Sequence, residues 1–214
     1  MAFKTGLIRS LLLVALLLTF TGCGAPKSPS GKKLGALTIR SLEKDGLTLT
    51  GKFKTGYFAF HDANRVTVVL LDGNEDAPDQ ALIIRMLWLP RGSKTPVNRN
   101  ATNATIKHIV FAGENRSIVG VYGGGGYFYP KQNPKATRKH LDAAIWDGSM
   151  ALQHASKGFA DRLGRVQIDG KLKNIIHDDA KVEALLDALD SEVSQKVGYK
   201  VLVQRDAQLL DASM

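Results

Sequence analysis

Cys23 is the only cysteine in the chain, so no intrachain disulfide is possible. A lone cysteine usually serves as a small buried hydrophobe, but this one precedes a Gly, Pro, Ser and Lys stretch that offers nothing to bury it. The aromatic run Tyr127-Phe128-Tyr129 is a second candidate. In a strand, period-two geometry puts Tyr127 and Tyr129 on one face and Phe128 on the other; core or edge packing is the ordinary place for such rings, and an exposed pair can stack on sugars. The run Gly123-Gly-Gly-Gly126 lets backbone N–H groups approach a ligand, but no helix start follows it, as a P-loop or dinucleotide fingerprint requires. It reads as a hairpin loop or a close backbone crossing.

The five histidines, at 61, 108, 140, 154 and 177, show no His-x-His or His-Glu-x-x-His spacing, and Cys-x-x-Cys is absent. No cofactor or metal is expected on these grounds. His61-Asp62 and His177-Asp178-Asp179 pair acid with base locally, at positions where Asp ordinarily makes a turn or a helix cap. No Gly-x-Ser-x-Gly elbow is present, and no catalytic residue is assigned. Asn100-Ala-Thr102, Asn103-Ala-Thr105 and Asn115-Arg-Ser117 fit the glycosylation acceptor pattern, and the first two mark an exposed loop after Pro96.

The context of Cys23 specifies its chemistry. Residues 1–10 carry Lys4 and Arg9 with no acid, and Leu11 to Phe20 is apolar except for Thr19, the layout of a secretory signal. A stable span needs about 20 apolar residues, so this run is too short for a transmembrane helix. Thr19-Phe20-Thr21-Gly22-Cys23 resembles the lipobox of bacterial lipoprotein precursors, with Phe20 standing where that family usually has Leu. The resemblance implies cleavage before Cys23, a diacylglycerol on its sulfur and an acyl chain on the new amino group. Each buried methylene contributes about 0.8 kcal/mol, so two or three chains anchor durably where one does not. Gly24 is not the Asp that marks inner-membrane retention in some Gram-negative bacteria, which by the same resemblance favours the outer membrane.

Composition bears on the tether and the partner class. The net charge of +9 becomes +7 once Lys4 and Arg9 leave with the signal, and Lys27, Lys32 and Lys33 hold three of those charges beside the anchor. Near an anionic bilayer each adds about 1 kcal/mol of attraction. Residues 24–33 have linker composition and reach about 30 Å when extended. The remaining excess of about +4 is ordinary for a folded domain, and no basic run interleaved with aromatics marks a nucleic-acid surface.

From Leu34 onward, short apolar or alternating runs are punctuated by Asp45-Gly46, Asp72-Gly73, Asp147-Gly148 and Asp169-Gly170, which suit type I′ hairpin turns. The strands this predicts include Ala81 to Leu89, Ile118 to Tyr122, Leu141 to Trp146, Met150 to Ala155, Val166 to Ile168, Lys171 to Ile176 and Tyr199 to Gln204. The expected fold is mainly β, an antiparallel β-sandwich or barrel. Ala81 to Leu89 is apolar on both faces apart from Arg85, which places it centrally and asks an ion pair for Arg85. Val182, Leu185, Leu186, Leu189, Val193 and Val197 fall on one stripe of an amphipathic C-terminal helix over about 180–198, with Asp178 or Asp179 as N-cap and Gly198 as stop.

The organisation expected is a cleaved signal (1–22), a lipidated tether (23–33), one β-rich domain (34–204) and a tail (205–214). The function expected is a noncatalytic envelope lipoprotein, bound to the bilayer through acylated Cys23, with a structural or binding role toward an envelope glycan or protein and no nucleic-acid partner. The alternatives are a carbohydrate- or peptidoglycan-binding module using Tyr127 and Tyr129, and an envelope hydrolase.

Overall fold

In a meander of antiparallel strands every connection reverses direction, so an odd number of strands closes only if the first and last run parallel. That is how this chain closes. Its computed structural model describes residues 34–43, 46–62, 64–90, 102–131 and 139–202. The strands are β1 (Gly35–Ser41), β2 (Thr48–Gly51), β3 (Thr55–Phe60), β4 (Val66–Asn74), β5 (Ala77–Met86), β6 (Ala104–Ala112), β7 (Ile118–Pro130), β8 (His140–Ala155) and β9 (Val166–His177). A single 3-10 turn, Glu114–Arg116, joins β6 to β7, and helix α1 (Asp179–Val197) follows β9. Strands β3 to β9 form a closed seven-stranded barrel, antiparallel throughout except where β9 meets β3 at Tyr57↔Ile176 and Phe58↔His177. The β1–β2 hairpin takes the rest of that edge of β9, pairing antiparallel from Gly35↔Leu172 to Ser41↔Val166.

Alternation along each strand divides the apolar residues between two cores. Phe58, Val68, Leu82, Ile106, Phe128 and Ile168 fill the barrel interior. Val69, Leu71, Ile83, Ile109, Val119 and Val121 point outward, where α1 covers them with Val182, Leu185, Leu189 and Val193. Each such aliphatic side chain contributes roughly 1.5–3 kcal/mol on burial. This explains the unbroken apolar runs in β4 and β5, whose two faces are both covered. The helix packs on the barrel wall through the stripe expected for it. Asp178 caps it by accepting the Lys181 N–H at 2.9 Å, and Gly198 ends it in the left-handed conformation at φ 92°.

The Asp-Gly dipeptides do not make the expected turns. Asp72-Gly73 is a bulge ahead of the true hairpin turn at Glu75-Asp76, and Asp147-Gly148 and Asp169-Gly170 lie inside β8 and β9. Asp45 lies outside the described residues. Strands that were expected to be separate are therefore continuous: β8 runs for 16 residues and β9 for 12. Strands this long bend to follow a barrel, and a bulge supplies the bend with the same positive-φ residues that a turn would need. Gly123 to Gly126 likewise lie within β7, not in a hairpin loop. The close-crossing half of the expectation fits, because a Cβ on Gly124 would collide with the Ser149 backbone carbonyl. Tyr199 to Leu202 are not a strand, and residues 203 and 204 lie outside the described set. Residues 1–33, with the signal, Cys23 and the tether, lie outside it too.

Candidate functional site: an aromatic platform on the barrel wall

Phe128 is fully buried in the barrel, so its neighbours Tyr127 and Tyr129 must face outward. Directly across from Tyr127 on β8 stands Trp146. The Trp146 ring lies nearly parallel to both phenols, at 6.1 Å and 6° from Tyr127 and at 5.5 Å and 8° from Tyr129. Trp88, just past the end of β5, meets Tyr127 edge-on at 6.2 Å. Trp146 is 46% exposed and Tyr129 37% exposed, unusual for rings that a core would welcome. The four rings form one aromatic cluster on the outer wall of the barrel, with Trp146 and Tyr129 exposed and Trp88 and Tyr127 half-buried. The chain's two tryptophans are both in it.

Local backbone features set this geometry. Asp147, at φ 49°, forms the bulge that follows Trp146, and its N–H donates to the Asp169 carboxylate at 2.8 Å. A bulge of this kind re-aims the side chain beside it. On the other flank Asn103 is completely buried. Its amide donates to the Phe128 carbonyl at 2.8 Å and to the Trp88 carbonyl at 3.2 Å, and its oxygen accepts the Phe128 N–H at 2.7 Å. Burial, then the neighbouring Tyr129, raises the pKa of Tyr127, so this phenol stays neutral and able to donate or accept a hydrogen bond. No nucleophile with an adjacent base stands among these residues. The arrangement can stack and hydrogen-bond.

Four histidines each meet a different partner. His61 meets the Thr67 hydroxyl at 2.7 Å, His108 the Gln80 amide at 3.0 Å, His154 the Tyr199 hydroxyl at 3.1 Å and His177 the Asp179 carboxylate at 3.2 Å. None of these four brings a carboxylate and a hydroxyl together, as a hydrolytic triad would. Asp62 makes a turn by accepting the N–H groups of Asn64 and Arg65, and these bonds with the Arg65 ion pair lower its pKa to about 2. Among the described residues no group of three or more His, Cys, Asp or Glu is placed to hold a metal ion. Nor is any described helix long and apolar enough to cross a membrane.

Sequence reasoning placed Tyr127 and Tyr129 on one face and missed Trp88, Trp146 and Asn103. The signal for Trp146 was present: Leu141, Ala143 and Ile145 alternate inward, which turns Trp146 outward. Its register against Tyr127 was hidden because Asp147-Gly148 reads as a turn. Asn103 was taken for part of an exposed acceptor loop, whereas its side chain has no access to solvent. Asn100 lies outside the described residues. No family model, curated protein or solved structure matches this chain.

Proposed function

We propose that this chain is an envelope lipoprotein whose barrel is a noncatalytic glycan-binding module. Lipidation of Cys23, the basic tether at Lys27, Lys32 and Lys33, and the outer membrane as its site are supported by the lipobox-like sequence alone. The observation that carries the binding reading is the platform of Trp146, Tyr127 and Tyr129, with near-parallel rings of which Trp146 and Tyr129 are exposed. One face of a pyranose presents mainly C–H groups, which pack on an aromatic face while the ring hydroxyls stay hydrogen-bonded at the rim. Asp147, exposed beside Trp146, and the phenol hydroxyls supply polar partners at that rim.

The test is retention of the chain from position 23 onward, carrying Cys23→Ser to keep it in water, on peptidoglycan sacculi and on chitin. Trp146→Ala, Tyr127→Ala and Tyr129→Ala are compared with it. Loss of retention in the Trp146 variant, with weaker losses in the tyrosine variants, supports the reading. Retention that is absent, or unchanged in all three, refutes it.

A further inference from the structure

Beside the platform, the same barrel wall carries a trough. Outward positions on β6, β7 and β8 pair in rows, Lys107↔Gly123↔Ala151 and Thr105↔Gly125↔Ser149. The β7 and β8 members of these rows are glycine, alanine and serine, and Gly123 lines the cavity. Arg85 and Lys107 rise on the β5–β6 side, Gln153 lies over Gly123, and Val201 and Leu202 close the end beyond α1. The cavity there measures about 340 Å³. Gly123 in its lining and Tyr127 in the platform are four residues apart on one face of β7, roughly 13 Å.

Two cations share this trough. The Lys107 ammonium donates to the Val201 carbonyl at 2.8 Å and is half-buried. Burial, then the neighbouring Arg85 charge, holds its pKa below the usual lysine range, with Asp190 partly offsetting them. A carboxylate seated here would be attracted by both side chains. The platform end differs, because Asp147 stands exposed beside Trp146. A uniformly anionic polymer would meet repulsion there. A chain with charge on some units and none on others fits both ends.

We infer that trough and platform form one continuous site for an acidic glycan whose charged and neutral sugars alternate, with a neutral sugar on Trp146 and a carboxylate between Lys107 and Arg85. This rests on the glycan-binding reading above and adds its ligand class. Thr105 lies in the row nearer the platform and Gln153 lies over Gly123 at the end away from it, where each can hydrogen-bond a hydroxyl. Peptide-free glycan strands of peptidoglycan have this character, and chitin oligosaccharides share their backbone without the carboxylates.

The experiment measures affinity of the chain from position 23 onward (Cys23→Ser) for these two probes, matched in length, in low and high salt. The expected result is binding of both, with the acidic strands about tenfold tighter at low salt. That advantage should vanish in Lys107→Gln and shrink in Arg85→Gln, with chitin affinity falling by much less than that of the acidic strands in both. Trp146→Ala should weaken both probes. Equal affinity for the two probes, or an advantage that survives both charge variants, overturns this inference and leaves the platform reading standing if Trp146→Ala still weakens binding. Binding of neither probe, or binding indifferent to Trp146→Ala, overturns both.

Discussion

The side-chain amide of Asn103 grips Phe128 at both of its backbone polar groups, donating to the carbonyl at 2.8 Å and accepting from the N–H at 2.7 Å. A strand neighbour would make the same two bonds. The backbone pairing of β6 with β7 ends at Ala104↔Gly126, so a side chain continues the ladder where the main chain departs. The residue it holds lies between the two platform tyrosines.

Asn103→Ala would leave a buried N–H and a buried carbonyl without partners, at about 1–3 kcal/mol for each unsatisfied group. Chemical denaturation should show a loss of a few kcal/mol. Glycan retention should fall at temperatures where the variant is still folded, because the spacing of Tyr127 and Tyr129 depends on Phe128. A variant as stable as wild type would show that the clamp is dispensable.

The glycines of β7 should differ sharply in tolerance. A Cβ at Gly124 meets the Ser149 backbone carbonyl and the Cα of Met150, and neither can step aside. Gly124→Ala should destabilise at or beyond the upper end of the ~1–3 kcal/mol typical of overpacking. A Cβ at Gly123 meets only the far end of the Gln153 side chain, which can rotate away. Gly123→Ala should therefore cost less than about 1 kcal/mol. Thermal unfolding of the two variants side by side checks the ordering.

His108 is enclosed in the barrel with Nδ1 unpartnered, and burial lowers its pKa from 6.5 to about 4. Above pH 6.5 the ring is neutral in the folded and unfolded chains alike, and the shift contributes nothing. As pH falls from 6.5 to 4 the unfolded chain takes up a proton that the folded barrel refuses, so stability declines. Below about 4 the effect levels off. The decline attributable to this ring is roughly 3 kcal/mol. Urea titrations at pH 7 and pH 4 should show His108→Leu losing less stability than wild type over that interval, by about that amount. Parallel losses would contradict the assignment.

The anchor is tested by intact mass and detergent partitioning after expression in a bacterium. Wild type should carry the mass of a diacylglycerol and an acyl chain and enter the detergent phase, and Cys23→Ser should do neither. Wild type at the mass of an unlipidated chain, in the aqueous phase, would refute lipidation.

Legibility in the sequence followed the range of the forces involved. The helix could be read to within a residue, because Asp178, the Val182 to Val193 stripe and Gly198 act locally along the chain. The mainly β class and the shared face of Tyr127 and Tyr129 also follow from periodicity. Strand length did not follow, since Asp147-Gly148 looks the same in a turn as in a bulge and Asp169-Gly170 the same in a turn as in the strand opposite that bulge, and only the pairing of β8 with β9 decides. Barrel closure depends on the short contact of Tyr57 and Phe58 with Ile176 and His177, more than a hundred residues along the chain. The platform fell in the same gap: Tyr127 and Trp146 meet only through the β7–β8 register, and Trp88 arrives from a third strand.

The most direct measurement uses Trp146 as its own reporter. Trp88→Phe leaves it the only tryptophan in the chain, on the exposed side of the barrel. Titration with peptide-free peptidoglycan glycan strands should shift its emission to shorter wavelength, saturably, and reduce its quenching by acrylamide as a sugar covers the ring. Trp146 emission and acrylamide access that stay the same across the whole titration would contradict glycan binding at the platform.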